Sequence, residues 1–118
     1  MKTLVLGGSL NPSRYSHRAI KLLRSYQHEV IAVGKDEGKV EQVEILHDFP
    51  PNEKIDTITL YLNPERQKAY YGKILKAQPR RIIFNPGAEN AELAKLAKQN
   101  GIIVEEACTL VMLNTGQY

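Results

Sequence analysis

Two glycines, two hydroxyls and an arginine stand close together near the start of the chain. The run is Gly7-Gly8-Ser9-Leu10-Asn11-Pro12-Ser13-Arg14, with Ser16 two residues on. Glycine lets a backbone approach a bound group closely and leaves amide N–H groups able to point outward. A helix beginning just beyond adds the positive end of its dipole, and Arg14 adds a fork of donors that matches a phosphate. Ser9 and Ser16 supply hydroxyls. The chemistry open to this set is the holding of a phosphorylated ligand. It is not a GxGxxG fingerprint, because Ser9 stands in place of the second glycine and no third follows. It is not a Walker loop either, since Gly-Lys-Ser/Thr is missing. A tight turn with a solvated arginine would use the same residues.

A second group follows the β-branched run Glu29–Val33. An enzyme using NAD would place Asp or Glu near this strand end, on the ribose hydroxyls. Here Val33 leads into Gly34 and Lys35. A lysine about 4 Å from a phosphate gains on the order of 4 kcal/mol gross near a surface, where an acid would lose a similar amount. The position thus favours a phosphorylated ribose over a free diol. Asp36 and Glu37 directly after it also fit a plain charged turn.

Three Asn-Pro pairs complete the set: Asn11-Pro12, Asn63-Pro64 and Asn85-Pro86, the last followed by Gly87. Asparagine caps a helix and proline pre-sets its first turn, which accounts well for the second pair. The first and third lie in longer loops. Other chemistries find less support. Gly7-Gly8-Ser9-Leu10-Asn11 lacks the closing glycine of a nucleophile elbow. His17, His28 and His47 share no metal-ligand spacing and read as surface or structural residues. Glu105-Glu106 reads as a solvated strand end. Cys108, the single cysteine, sits beside apolar Leu110 and Val111 and reads as a buried, unreactive thiol. No nucleophile, base and orienting group assemble into a catalytic set, so catalytic residues are not assigned.

The elements that position these loops alternate. Thr3–Gly7 is a short apolar run, the look of a strand buried on both faces. Tyr15, Ala19, Leu22 and Tyr26 recur at helical spacing, giving an amphipathic helix. Glu29–Val33 is the second strand, Gly34–Gly38 a charged turn, and Val43–Leu46 a minor strand. Ile55–Leu62 is the next strand, and Asn63, Pro64 and Glu65 open a helix that runs to about Ala77. Arg81–Phe84 is a strand. Asn90 caps a helix through Leu93, Leu96 and Ala97, and Gly101 ends it as a left-handed residue. Ile102–Glu105 is the last strand. Such alternation predicts an α/β fold: a three-layer, doubly wound, Rossmann-like domain with a mostly parallel sheet of about five strands.

Length and composition agree. With 118 residues, 42% of them hydrophobic and 25% charged, the chain has enough core for one domain spanning 1–118 and is far from disordered compositions. No apolar run approaches the roughly 18 to 20 residues that cross a bilayer, and the apolar start is too short for a secretion signal. The expectation is a cytoplasmic protein with no membrane partner. The net charge of +3 is too small to argue for nucleic acid, and the aromatics do not interleave with the basic residues. Residues 1–34 nevertheless carry five cations against one acid, Glu29. A small phosphorylated ligand suits that distribution.

Taken together, these segments resemble the small single-domain CoA-binding proteins. Their Rossmann-like domain is similar to the nucleotide-binding half of the succinyl-CoA synthetase α subunit. The resemblance spans nearly the whole chain. It rests on the first loop with Pro12, Arg14 and Ser16, on Val30-Ile31-Ala32-Val33-Gly34, on Thr59-Leu60-Tyr61-Leu62-Asn63-Pro64, on Ile83-Phe84-Asn85-Pro86-Gly87 and on Glu106-Ala107-Cys108-Thr109-Leu110. It implies that coenzyme A or an acyl-CoA is the ligand, with its pyrophosphate held by Gly8, Ser9 and neighbouring amides. It further implies that Arg14 and Lys35 lie near phosphates, that the adenine lies toward the second strand end, and that the Asn63-Pro64 and Asn85-Pro86-Gly87 segments wall the pocket. This chain has no second domain and no histidine where the synthetase carries its phosphorylated loop, so the ligase reaction does not transfer. The residues alone leave open a non-catalytic CoA module, an NADP-linked reductase and a nucleotide-sensing interaction module.

Overall fold

A computed structural model describes residues 2–118. Its central strand is β1 (Lys2–Leu6), flanked by β2 (Glu29–Val33) on one side and β5 (Thr57–Leu60) on the other, both parallel to it. Beyond β2 lie β4 (Val43–Leu46) and then β3 (Gly38–Val40), and beyond β5 lie β6 (Arg81–Phe84) and β7 (Ile103–Glu106). Every pairing is parallel except β3 with β4. Among the described residues the sheet therefore holds seven strands where about five were expected. The minor strand at Val43–Leu46 is one addition. The other, β3, carries too few apolar residues to betray itself in the sequence and forms as the antiparallel edge partner of β4.

Helices cover both faces, because successive residues of a buried strand point opposite ways. Leu4 and Leu6 face a core shared with Ile58, Leu60, Ile74, Ile82 and Leu93, whereas Val5 faces Ile20, Leu23, Ala32, Ile45 and Leu113. The first core lies under α3 (Tyr71–Ala77) and α4 (Ala91–Gln99), the second under α1 (Tyr15–Ser25) and α5 (Thr109–Asn114). This is the doubly wound, three-layer arrangement.

The helices depart from expectation in three places. In α1 the buried stripe is Ser16, Ala19, Ile20 and Leu23, while Tyr15 and Tyr26 are exposed. The tyrosines mimic an apolar phase one residue out of register. The helix opened by Asn63 is not continuous. Asn63 does cap α2 (Pro64–Gln67), its side chain accepting from the Arg66 amide, but a 3-10 turn over Lys68–Tyr70 separates α2 from α3. Left-handed Gln78, directly before Pro79, then stops α3. Finally, α5 follows Cys108 where no element was assigned. Asn90 and Gly101 behave as read: Asn90 caps α4 through the Leu93 amide, and Gly101 has a φ of +75° just past its end.

Candidate ligand-binding site

Strand order reverses at β1. The chain leaves it for β2 on one side and returns to β5 on the other, so loops after these strands diverge and leave a crevice at their carboxyl ends. A cavity of about 400 Å³ lies there. Gly7, Gly8, Ser9, Asn11, Arg14, Tyr15 and Ser16 form its floor and one wall, with Lys35 and Asp36 at the end of β2. Tyr61, Leu62, Arg66 and Pro86 close the opposite side.

Nine of the fifteen residues singled out in the sequence meet at this cavity: Gly7, Gly8, Ser9, Asn11, Arg14, Ser16, Lys35, Leu62 and Pro86. The other six lie beside or beneath it. Pro12 is exposed in the loop, and Asn63 and Pro64 are exposed at the start of α2. Val33 is fully buried, and its carbonyl accepts from the amides of both Gly7 (2.8 Å) and Gly8 (2.9 Å). Asn85 is 1% exposed and works inside the fold. Its amide nitrogen donates to Thr59 Oγ1 and the Leu60 carbonyl, and its Oδ1 accepts from the Thr109 amide, fixing the start of α5 against β5. Gly87 stands at φ +92°, its amide donating to Glu89.

The two glycine amides expected to point at a ligand are therefore already spent on Val33. The reason is local: with Gly7 at φ +101°, the chain turns back over the end of β2, and both N–H groups find the one strand-end carbonyl there. The glycines serve the closeness of loop and strand. What faces the cavity instead is the first turn of α1, whose N-cap residue Arg14 provides no side-chain cap. Amides in that turn have no carbonyl partner within their helix, and the dipole is positive at this end.

The loop is held in shape from several sides. His17 is buried, and its Nδ1–H donates to the Ser9 carbonyl at 2.8 Å. Asn11 forms an Asx turn, its Oδ1 accepting from the Ser13 amide and hydroxyl, while Ser9 Oγ accepts from the Asn11 amide. Leu10 packs on Gly38, where a β-carbon would come within 2.7 Å of its Cδ2. The sequence reading of His17 as structural is correct, but nothing in the sequence alone marks it as the clamp on this loop.

Four wall residues escaped sequence reasoning: Tyr15, Asp36, Tyr61 and Arg66. Tyr15 falls in the apolar stripe that the helical spacing predicts for the core, and Arg66 carries no sequence signal of its own. The Tyr61 hydroxyl is buried without a hydrogen-bond partner among the described residues, and burial pushes the phenol well above its ordinary pKa, so it stays neutral. Fully buried Gln67, also unforeseen, braces this wall. Its Nε2 donates to the Leu62 and Ala88 carbonyls, and its Oε1 accepts from Asn90 Nδ2. Cys108 lies outside the cavity wall as the N-cap residue of the six-residue α5, and it is half-buried where full burial was expected.

Among the described residues no helix is long and apolar enough to cross a membrane. Nothing among curated proteins matches the chain. Among solved structures, the crystal structure of an uncharacterized protein is 44% identical and superposes with a TM-score of 0.95, covering 99% of this chain and 97% of that one. A hypothetical protein from Pyrococcus horikoshii OT3 shares the fold at 20% identity and a TM-score of 0.87, over 96% and 81% of the two chains. A dinucleotide-forming acetyl-coenzyme A synthetase from Ca. Korarchaeum cryptofilum, solved with phosphate and ADP, has the same fold in part of its length. There the TM-score is 0.73 at 17% identity, over 90% of this chain and 25% of that one. The model of the CoA binding domain matches residues 1–114, and with a cavity at the reversal of strand order in a doubly wound sheet, this chain belongs to the CoA binding domain family.

Proposed function

We propose that this chain binds coenzyme A or an acyl-CoA as a stand-alone module without catalysis of its own. The observation that carries the reading is the convergence of Ser9, Arg14, Ser16 and Lys35 on one cavity in a chain of the CoA binding domain family. The open first turn of α1 and Arg14 take the pyrophosphate, and Lys35 at the end of β2 takes a phosphate on the adenosine side. Leu62 and Pro86 then wall the side toward which the pantetheine arm runs. The described residues lining the cavity include no histidine or cysteine, and none pairs a nucleophile with a base.

A second reading rests on the same cations, because Lys35 also suits the 2′-phosphate of NADP. A thermal-shift comparison of CoA, acetyl-CoA, NADP and NAD separates the two, since a ligand bound by the native state alone raises the melting temperature. CoA or acetyl-CoA should shift it most. A shift with NADP alone would overturn the CoA reading, and no shift with any of the four would point to an interaction module with a vestigial pocket.

A further inference from the structure

We propose that Tyr15 is the platform on which the adenine of the ligand stacks, with Arg18 holding the ring in place; this rests on the CoA reading above. Tyr15 is the first residue of α1 and lines the cavity, yet it is 66% exposed. An aromatic ring left this open at a cavity mouth has apolar surface to offer a flat partner. The Arg18 guanidinium lies over the ring, 5.5 Å from its centroid. Arg18 itself does not line the cavity. A cation–π contact on one side restricts the ring before the ligand arrives, which lowers the ordering cost of stacking.

The position along the crevice selects adenine over the pantetheine arm. α1 connects β1 to β2, and its Ile20 and Leu23 share a core with Val5 of β1 and Ala32 of β2, so Tyr15 at the start of that helix and Lys35 just after β2 come to the cavity from the same half of the sheet. Leu62, Arg66 and Pro86 stand on the β5 and β6 side. Arg14, read above as the contact to the pyrophosphate, is the immediate chain neighbour of Tyr15 and lines the same cavity. A planar base fits such a site, whereas an aliphatic amide chain gains little from a flat, polarised ring. Stacking of this kind is tolerant of the base but requires one.

The experiment is calorimetric titration of wild type, Tyr15→Ala, Tyr15→Phe and Tyr15→Leu with CoA and with adenosine 3′,5′-bisphosphate, which lacks the pantetheine arm. Tyr15→Ala should lose roughly tenfold in affinity for both ligands, in the range typical of one stacked base. Tyr15→Phe should stay within about twofold, because the ring and not the hydroxyl does the stacking. Tyr15→Leu keeps apolar bulk without a π face and should resemble the alanine variant. As Tyr15 is exposed, all three should melt like wild type. Loss for CoA with unchanged affinity for the bisphosphate would overturn the platform and place the ring against the arm; wild-type affinity of Tyr15→Ala for both would also overturn it. A wild type that binds the bisphosphate, is weakened by Tyr15→Ala and ignores CoA would defeat the CoA reading and leave the stack standing. A wild type that binds neither would defeat both.

Discussion

A β-carbon on Gly34 would stand 2.1 Å from the carbonyl oxygen of Gly8. The end of β2 and the loop after β1 therefore meet at backbone contact distance, closer than any side chain permits. The contact is reinforced by the shared Val33 carbonyl, and Gly34 is itself tied to the far side by its amide donating to Leu46.

Gly34→Ala should accordingly lower stability by about 1–3 kcal/mol, because backbone and not a flexible side chain must give way. Urea denaturation measures it. Gly72→Ala is the contrast: nothing lies within 4 Å of a β-carbon there, and the residue is inside α3. That change should stabilise by about 0.5–1 kcal/mol through helix propensity and a less flexible unfolded chain. Equal effects in the two variants would contradict the close approach at Gly34.

Arg14→Ala should leave the melting temperature unchanged and weaken CoA binding by roughly 1–3 kcal/mol, the range for a hydrogen bond to a charged group. Calorimetry at two salt concentrations checks it, since a lost phosphate contact also flattens the salt dependence. Gly8→Val is a poor companion test. Its β-carbon would meet the Ala32 side chain at 3.2 Å beneath the loop, so the variant would disturb packing before it reported on a ligand.

His17→Phe should cost about 1 kcal/mol of stability, because the ring can fill the space but cannot donate to the Ser9 carbonyl. The loop should also loosen. Hydrogen exchange at the amides of Asn11 and Ser13 should quicken and CoA affinity should fall, although His17 does not line the cavity. Unchanged exchange there would show that the Asx turn alone holds the loop.

At the opposite end of the sheet, Asp56 bonds the Arg80 guanidinium through Nε (3.0 Å) and Nη2 (3.2 Å). Those bonds, helped by the Thr57 hydroxyl, hold its carboxyl below the ordinary 3.8 despite some burial. As acid is added the unfolded chain takes up this proton first, so the stabilisation is complete above about pH 4 and fades as pH drops through the lower folded value. Asp56→Asn should flatten the fall in stability below pH 4 relative to wild type. Parallel curves from urea titrations between pH 2 and 6 would show that the pair contributes nothing.

How much of this was legible depended on whether a signal was local. Asn63, Asn90 and Gly101 act through their own backbone neighbours, and their helix boundaries read correctly. The buried face of α1 did not, because Tyr15 and Tyr26 share the apolar character of a core stripe while their polar ends favour water. In β3, Gly38-Lys39-Val40 forms a strand only because β4 offers an open edge. The cavity residues in the first loop were visible as a set, since glycine, serine and arginine cluster there. Gln67 and Asn85 were not legible in their actual roles, because each bridges segments distant in the chain. The amides of Gly7 and Gly8 were misassigned for the same reason: their acceptor, Val33, belongs to another strand.

The placing of β1 between β2 and β5 also has a kinetic consequence. β2 reaches β1 through a single short helix, so that half can form early, with little loop-closure entropy to overcome. Pairing β5 to β1, Thr57 beside Thr3, closes a longer loop that holds the whole β3–β4 hairpin and the segment beyond it. That pairing brings Tyr61, Leu62 and Arg66 to the crevice. A chain with only β1 and β2 paired would hold the Gly7–Arg14 loop without its opposite wall, and a ligand that needs both walls would recognise only chains in which the central pairing is finished.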